Sequence, residues 1–350
     1  MTTDRLTPLL AQRPWLLADG AMGSNLFARG LTSGEAPELW NTEHPERISG
    51  LQRSFIEAGA DIILTNSFGG NRHRLKLHKA EHRVAELNEA AARLARAEAD
   101  RADRIVLVAG SIGPTGEILE PLGPLSAGEA REAFAEQAAA LARGGVDILW
   151  IETMSSADET EAAIEGARRP GLPIVTTLSF DTNGRTMMGL TPAELAGLSR
   201  RHHLAACGSN CGVGAAELVA SIVNLAAAAD SSAVIVAKAN CGIPQYVDGE
   251  IRFNGTPELM AEYARLALDA GARIIGGCCG TTPEHLRAMR QTLESHVRGP
   301  KPSIETIEAR LGALSAGAAA QLRGEMDRLA GAAPGASQRR PSRRRMTAEP

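Results

Sequence analysis

The sequence predicts an α/β chain folded as a (β/α)8 TIM barrel, with a C-terminal helical extension and a disordered basic tail. Three observations predict it. Eight short apolar runs recur, at 15–18, 61–65, 105–109, 147–151, 173–178, 205–210, 233–239 and 272–276. Helical segments separate them, and ligand-type residues collect where each run ends. Runs such as IVLVAG and AVIVAKAN read as apolar on both faces, the pattern of a parallel strand covered on both sides. An open doubly wound sheet is the alternative, and eight strand–helix units favour the barrel.

The helices have recognisable ends. HPERISGLQRSFIEAG spaces Ile48, Leu51, Phe55 and Ile56 by three and four, then stops at Gly59. Ser126 is an expected N-cap, and Thr256 with Pro257 opens another helix that ends at Gly271. Residues 1–300 make the barrel in this reading. Residues 301–330 form an amphipathic extension carrying Ile304, Ile307, Leu311 and Leu314. Residues 331–350 are rich in Ala, Gly, Pro and Arg, with no core-forming residues. That tail carries five arginines against Glu349; a solvated tail is the plainer reading, and binding of anionic partners the other.

Composition excludes several classes. The chain has 350 residues, 44% hydrophobic and 22% charged, which is enough to build a sizeable core. Apolar stretches such as 225–229 fall far short of the ~20 residues that span a bilayer. The net charge of −4 is too mild to imply nucleic-acid or membrane partners for the folded part. The N-terminus lacks a signal-peptide pattern, and five cysteines without a paired framework point to a reducing cytoplasm. Homo-oligomerisation is left open.

The ends of the eight runs carry the chemistry, since barrel enzymes place their sites at the C-terminal ends of strands. In order these ends hold Asp19-Gly20, Thr65-Asn66, Gly110-Ser111, Glu152-Thr153, Ser179, Asn210-Cys211, Asn240-Cys241 and Cys278-Cys279. Cys211 and the Cys278-Cys279 pair would converge in a barrel. Three thiolates make a soft site suited to Zn²⁺, with a fourth position left for substrate. Small buried thiols, or a vicinal Cys278–Cys279 disulfide, are the competing readings. Cys207 and Cys241 read as small structural residues. Asp19 and Glu152 suit either an ammonium group and proton transfer or a carboxylate satisfied by backbone N–H groups. His78 and His82 read as a solvated helix face, without an HExxH pattern, and no GxSxG elbow occurs.

Taken together, ADGAMGSNL, LTNSFGGN, DILWIET, GSNCGVG and GGCCGTTPEH, in this order, resemble the homocysteine S-methyltransferase family over roughly residues 14–295. NLFARGLTSGEAPELWN, GNRHRLKLH and SFDTNGRTMMGLT are similar to its bacterial betaine–homocysteine members. The resemblance implies a barrel enzyme that moves a methyl group from betaine to zinc-held homocysteine, giving methionine and dimethylglycine. It implies Cys211, Cys278 and Cys279 as zinc ligands, Asp19 and Glu152 as the acids of the homocysteine site, and Gly20, Ser111 and Asn210 as further contacts.

The implied donor is a quaternary ammonium, which favours aromatic cages. Animal members of the family carry aromatics where this chain has Gly69-Gly70 and Thr153. Trp40, Phe27, Phe68 and Tyr246 are the candidates to replace them. S-methylmethionine, another sulfonium, or methylcobalamin from a partner protein are the rival donors; residues beyond 300 leave no room for a cobalamin domain. A non-catalytic zinc- or thiol-binding barrel is the reading from another class. A metal hydrolase would need His and Asp ligands that the strand ends lack.

Overall fold

The computed structural model describes residues 4–242, 244–247 and 250–325. The basic tail and Tyr246's side chain lie outside what is described. Eight parallel strands form one sheet: β1 (Leu16–Leu17), β2 (Ile62–Leu64), β3 (Leu107–Ile112), β4 (Ile148–Met154), β5 (Ile174–Leu178), β6 (Ala206–Cys211), β7 (Ile235–Ala239) and β10 (Ile274–Gly277). Their spatial order is β1-β10-β7-β6-β5-β4-β3-β2. The two ends meet through a parallel bridge between Ala18 and Ile62, which closes the barrel. A hairpin that the sequence reading did not foresee, β8 (Pro244–Val247) with β9 (Glu250–Phe253), sits between β7 and the next helix.

Side-chain alternation explains the two-sided hydrophobicity of the strands. Leu107, Ala109, Ile148, Trp150, Val175, Ala206, Val236 and Ile274 fill the barrel interior. Val108, Leu149 and Ile151 point the other way, into the layer shared with the helices. The helix Leu6–Gln12 plugs the floor, burying Leu6, Leu9 and Leu10 in the interior cluster. Full burial of such leucines stabilises by roughly 1.5–3 kcal/mol each.

Helix ends follow the expected chemistry. Ser126 accepts from Glu129 N in a capping box, and Thr256 accepts from Leu259 N. One expectation is corrected, that for His78 and His82. The extension after residue 300 is helical, in two pieces. It consists of Ile304–Leu311 and Ala316–Leu322, broken at Gly312, whose φ of 104° an L side chain rarely adopts. Both pieces pack on the helix Ala215–Ala228. His78 and His82 do not share a helical face: His78 lies in the turn after the helix Arg72–Lys76, and His82 in the 3₁₀ turn Glu81–Arg83. Among the described residues, no helix is long and apolar enough to cross a membrane.

The closing seam is held by a buried carboxylate. Asp61, fully buried just before β2, accepts from Leu17 N at 2.9 Å. Arg13, Arg104 and Arg290 surround it at 2.6, 3.4 and 3.1 Å. Removing the acid leaves three guanidinium groups and a buried N–H without it. Asp61→Ala is therefore expected to lose roughly 3–5 kcal/mol of stability, read from urea denaturation; a change under about 1 kcal/mol would show that the seam does not depend on this cluster.

Candidate active site

Sheet order brings the distant cysteines together. β6 and β10 both flank β7, so the chain leaving each passes the end of β7. Cys211 has a φ of 63° and Gly212 a φ of 76°, so the chain turns sharply as β6 ends. Cys278 N donates to Ala239 O at 2.7 Å, and Cys241 N to Cys279 O at 2.8 Å. Asn240 completes the stitch: its Nδ2 donates to Gly212 O at 2.5 Å, and its Oδ1 accepts from Cys279 N at 3.1 Å. The ligand atoms of Cys211, Cys278 and Cys279 all lie within 4.8 Å of one another.

This donor set fits a soft metal ion. Thiolates arranged tetrahedrally at about 2.3 Å from one ion stand roughly 3.8 Å apart, inside that spread. Hydrogen bonding from Cys278 and Cys279 pulls the Cys211 pKa down, while the same bonding to Cys211 pushes Cys278 up. All five cysteines are free, so Cys278 and Cys279 form no vicinal disulfide here. Cys207 and Cys241 lie in the apolar core; burial pushes both thiols up, Cys241 to about 11.

Beside the cysteines stand charges that burial ought to forbid. Inward alternation continues upward past the apolar layers: Ala109 is followed by Ser111, Trp150 by Glu152, and Val236 by Lys238. Ser111 Oγ donates to Glu152 Oε1 at 2.5 Å. Burial pushes Glu152 up to about 7, with Lys238 opposing. Asp19 accepts from Leu64 N at 2.7 Å and from Lys238 Nζ at 2.8 Å. Burial raises the Asp19 pKa as well, again against the pull of Lys238. Burial alone would discharge Lys238; Asp19 and Glu152 outweigh it and hold its pKa above the ordinary value.

Lys238 is the residue that the sequence reading missed. The signal was present as the single charge within AVIVAKAN, at an inward position two residues after Val236. Asn210 is placed differently from its strand-end neighbours. It is fully buried and does not line the cavity. Its Oδ1 accepts from Thr153 N at 2.9 Å and its Nδ2 donates to Thr153 Oγ1 at 2.7 Å. That clamp holds Thr153 at a φ of 62°, where the β4–β5 register shifts. Gly20 lines the cavity, and a Cβ there would meet Thr281 O at 2.6 Å.

A cavity of about 380 Å³ joins these groups to the loops above them. Its strand-end wall holds Asp19, Ser111, Glu152, Lys238 and the three cysteines. Its loop wall holds Glu35, Glu38, Phe68, Gly69, Arg74 and His78. Of the aromatics considered for a cage, Phe68 lines the cavity. Phe27 is exposed and does not line it. Trp40 is buried, with the Arg47 guanidinium 4.8 Å from its ring centroid and His44 edge-on to it. Glu38 Oε1 accepts from Gly69 N at 2.6 Å, and a Cβ at Gly69 would sit 3.0 Å from that oxygen. Burial pushes the Glu38 pKa up.

Comparison with known proteins agrees with this geometry. Residues 16–293 match the homocysteine S-methyltransferase family model. The methionine synthase of Mycobacterium tuberculosis is 29% identical over 321 residues, covering 85% of this chain and 26% of that protein. The Mycobacterium leprae methionine synthase is 29% identical over 298 residues, covering 81% and 24%. The chain thus spans about a quarter of the length of these curated relatives. The metallated form of the Escherichia coli homocysteine methyltransferase MmuM superposes with a TM-score of 0.68 at 25% identity, covering 82% of this chain and 99% of that one. A methyltransferase from Methanosarcina mazei, at 12% identity and a TM-score of 0.53 over 81% of this chain and 94% of that one, shares the fold. The family match spans the barrel from its first strand to its last helix, and the chain belongs to the homocysteine S-methyltransferase family.

Proposed function

We propose that this chain transfers a methyl group from a small cationic donor, betaine first among them, to homocysteine, giving methionine. The observation that carries the reading is the cluster of three cysteine sulfurs on the wall of a cavity that also presents Asp19 and Glu152. Zn²⁺ held by Cys211, Cys278 and Cys279 would keep the acceptor thiol deprotonated and nucleophilic. Asp19 and Glu152 would take the α-ammonium of homocysteine. With a pKa of about 7 and the Ser111 hydroxyl fixing one oxygen, Glu152 is the base placed to receive the thiol proton. The methyl carbon leaves the donor nitrogen, whose bonding pair stays on nitrogen, and forms the new S–C bond in line. Phe68 and the carboxylates of Glu35 and Glu38 suit the donor cation, in place of a full aromatic cage. A reducing cytoplasm goes with five free thiols.

A second reading, methylcobalamin as donor, is favoured by the likeness to methionine synthases. A methionine-formation assay with betaine, S-methylmethionine, a dimethylsulfonium donor and methylcobalamin separates the two. Turnover with methylcobalamin but with no onium compound would overturn the betaine reading and leave the acceptor reading standing.

Three results are expected. Cys211→Ala, Cys278→Ala and Cys279→Ala each remove most of the zinc, measured by elemental analysis, and abolish methionine formation. One zinc per chain retained in all three would refute the ligand assignment. Glu38→Gln raises the KM for betaine about tenfold with a smaller change in kcat, and an unchanged KM would remove Glu38 from the donor site. In the metal-free protein, the raised Glu152 pKa stabilises the fold in its protonated form. That contribution is complete below about pH 4.5 and is lost as pH rises through about 7. Denaturation curves of wild type and Glu152→Gln should therefore converge in acid. They should diverge above pH 7, with the Gln variant more stable by on the order of 3 kcal/mol; equal stability at pH 8 would contradict the assignment.

A further inference from the structure

Lys238 has a capacity that its ion pair does not use. Its ammonium carries three N–H donors, and among the described residues it makes one hydrogen bond, to Asp19 Oδ1. Its Nζ stands 5.4 Å from the centroid of the Trp150 ring, which offers a negative face but no lone pair. The residue is 2% exposed, yet it lines the cavity alongside Asp19, Glu152 and Cys278. A buried ammonium with spare donors is costly unless something else completes its coordination.

The charge pattern says what that partner is. The strand-end wall offers two carboxylates, Asp19 and Glu152, and Lys238 is its one cationic side chain. The other cations on the cavity, Arg74 and His78, belong to the segment after β2. An amino acid is a zwitterion: it adds no net charge, but each pole needs an opposite partner in the same small space. The carboxylates serve an ammonium pole, and the free N–H groups of Lys238 serve a carboxylate pole through a charge-assisted hydrogen bond.

We propose that Lys238 is a specificity-determining residue that binds the α-carboxylate of the amino-acid thiol, opposite the Asp19 and Glu152 carboxylates that bind its α-ammonium. The inference rests on the homocysteine reading of the same cavity. It assigns to β7 a share in substrate recognition besides the stitching done by Asn240.

The test compares three thiols on the zinc-loaded full chain by titration calorimetry, with zinc content and far-UV circular dichroism checked for each variant. The probes are homocysteine, its decarboxylated analogue 3-mercaptopropylamine, and its deaminated analogue 4-mercaptobutanoate. Wild type is expected to bind homocysteine at least about tenfold more tightly than 3-mercaptopropylamine. In Lys238→Met that ratio is expected to fall below about threefold, while the preference over 4-mercaptobutanoate persists. Asp19→Asn/Lys238→Met removes both charges of the ion pair together, so Asp19 is not left as an unpaired buried carboxylate. It should show the same collapse of carboxylate discrimination. A ratio that stays near wild type in either folded, zinc-loaded variant overturns the proposal. So does an equal loss of affinity for all three thiols in Lys238→Met, which would mark a purely structural lysine. If wild type bound none of the thiols, the homocysteine reading itself would fall, and this inference with it.

Discussion

Three sulfur atoms can share an ion only if two remote strand ends are fixed to within a fraction of an ångström of one another. In this chain the fixing is done by what lies between them. β7 separates β6 from β10, and the backbone at its end, with the Asn240 amide, bonds to both cysteine-bearing turns. Closure of the barrel is the precondition: without the Ala18–Ile62 bridge, β1 and β2 would be free edges and the rim would lose its shape.

The arrangement of charge depends on the same frame. A barrel interior is dry, and isolated charges there would be neutralised. Asp19, Glu152 and Lys238 avoid this by standing together, each on a different strand end, with Ser111 and Leu64 N supplying hydrogen bonds. The two carboxyls nevertheless remain raised by burial, so the wall favours a ligand that brings its own positive charge.

Most of the architecture was legible in the sequence because it rests on local, periodic signals. All eight barrel strands overlap the short runs read between helices, most of them rich in Val, Ile and Leu, and the rim cysteines announce themselves at the ends of those runs. What escaped has physical reasons. Lys238 was hidden because a strand apolar on both faces reads as uniformly buried, and one lysine is averaged away. The Asn210–Thr153 clamp was hidden because a bulge depends on a partner from another strand rather than on local composition. The break at Gly312 interrupts an apolar spacing that continues on paper to Leu314, because a single residue at a positive φ that glycine tolerates turns the chain out of the helix. The loop wall of the cavity was beyond reach altogether, since which of Glu38, Phe68, Arg74 and Trp40 turn inward is decided by long-range packing.

The plug formed by Leu6, Leu9 and Leu10 has a consequence for traffic. Below the cavity the barrel interior is filled by strand side chains and then by these leucines, so the cavity is bounded by the strand ends and the loops above them. A molecule that reaches the sulfur cluster must pass the space where a second molecule would later sit. Under the proposed reading, an acceptor seated at the sulfurs would lie deeper than a donor at the loop wall, and would enter ahead of it. The seven-residue helix at the start of the chain thus closes the end of the barrel opposite the cysteines, below the interior layers of strand side chains.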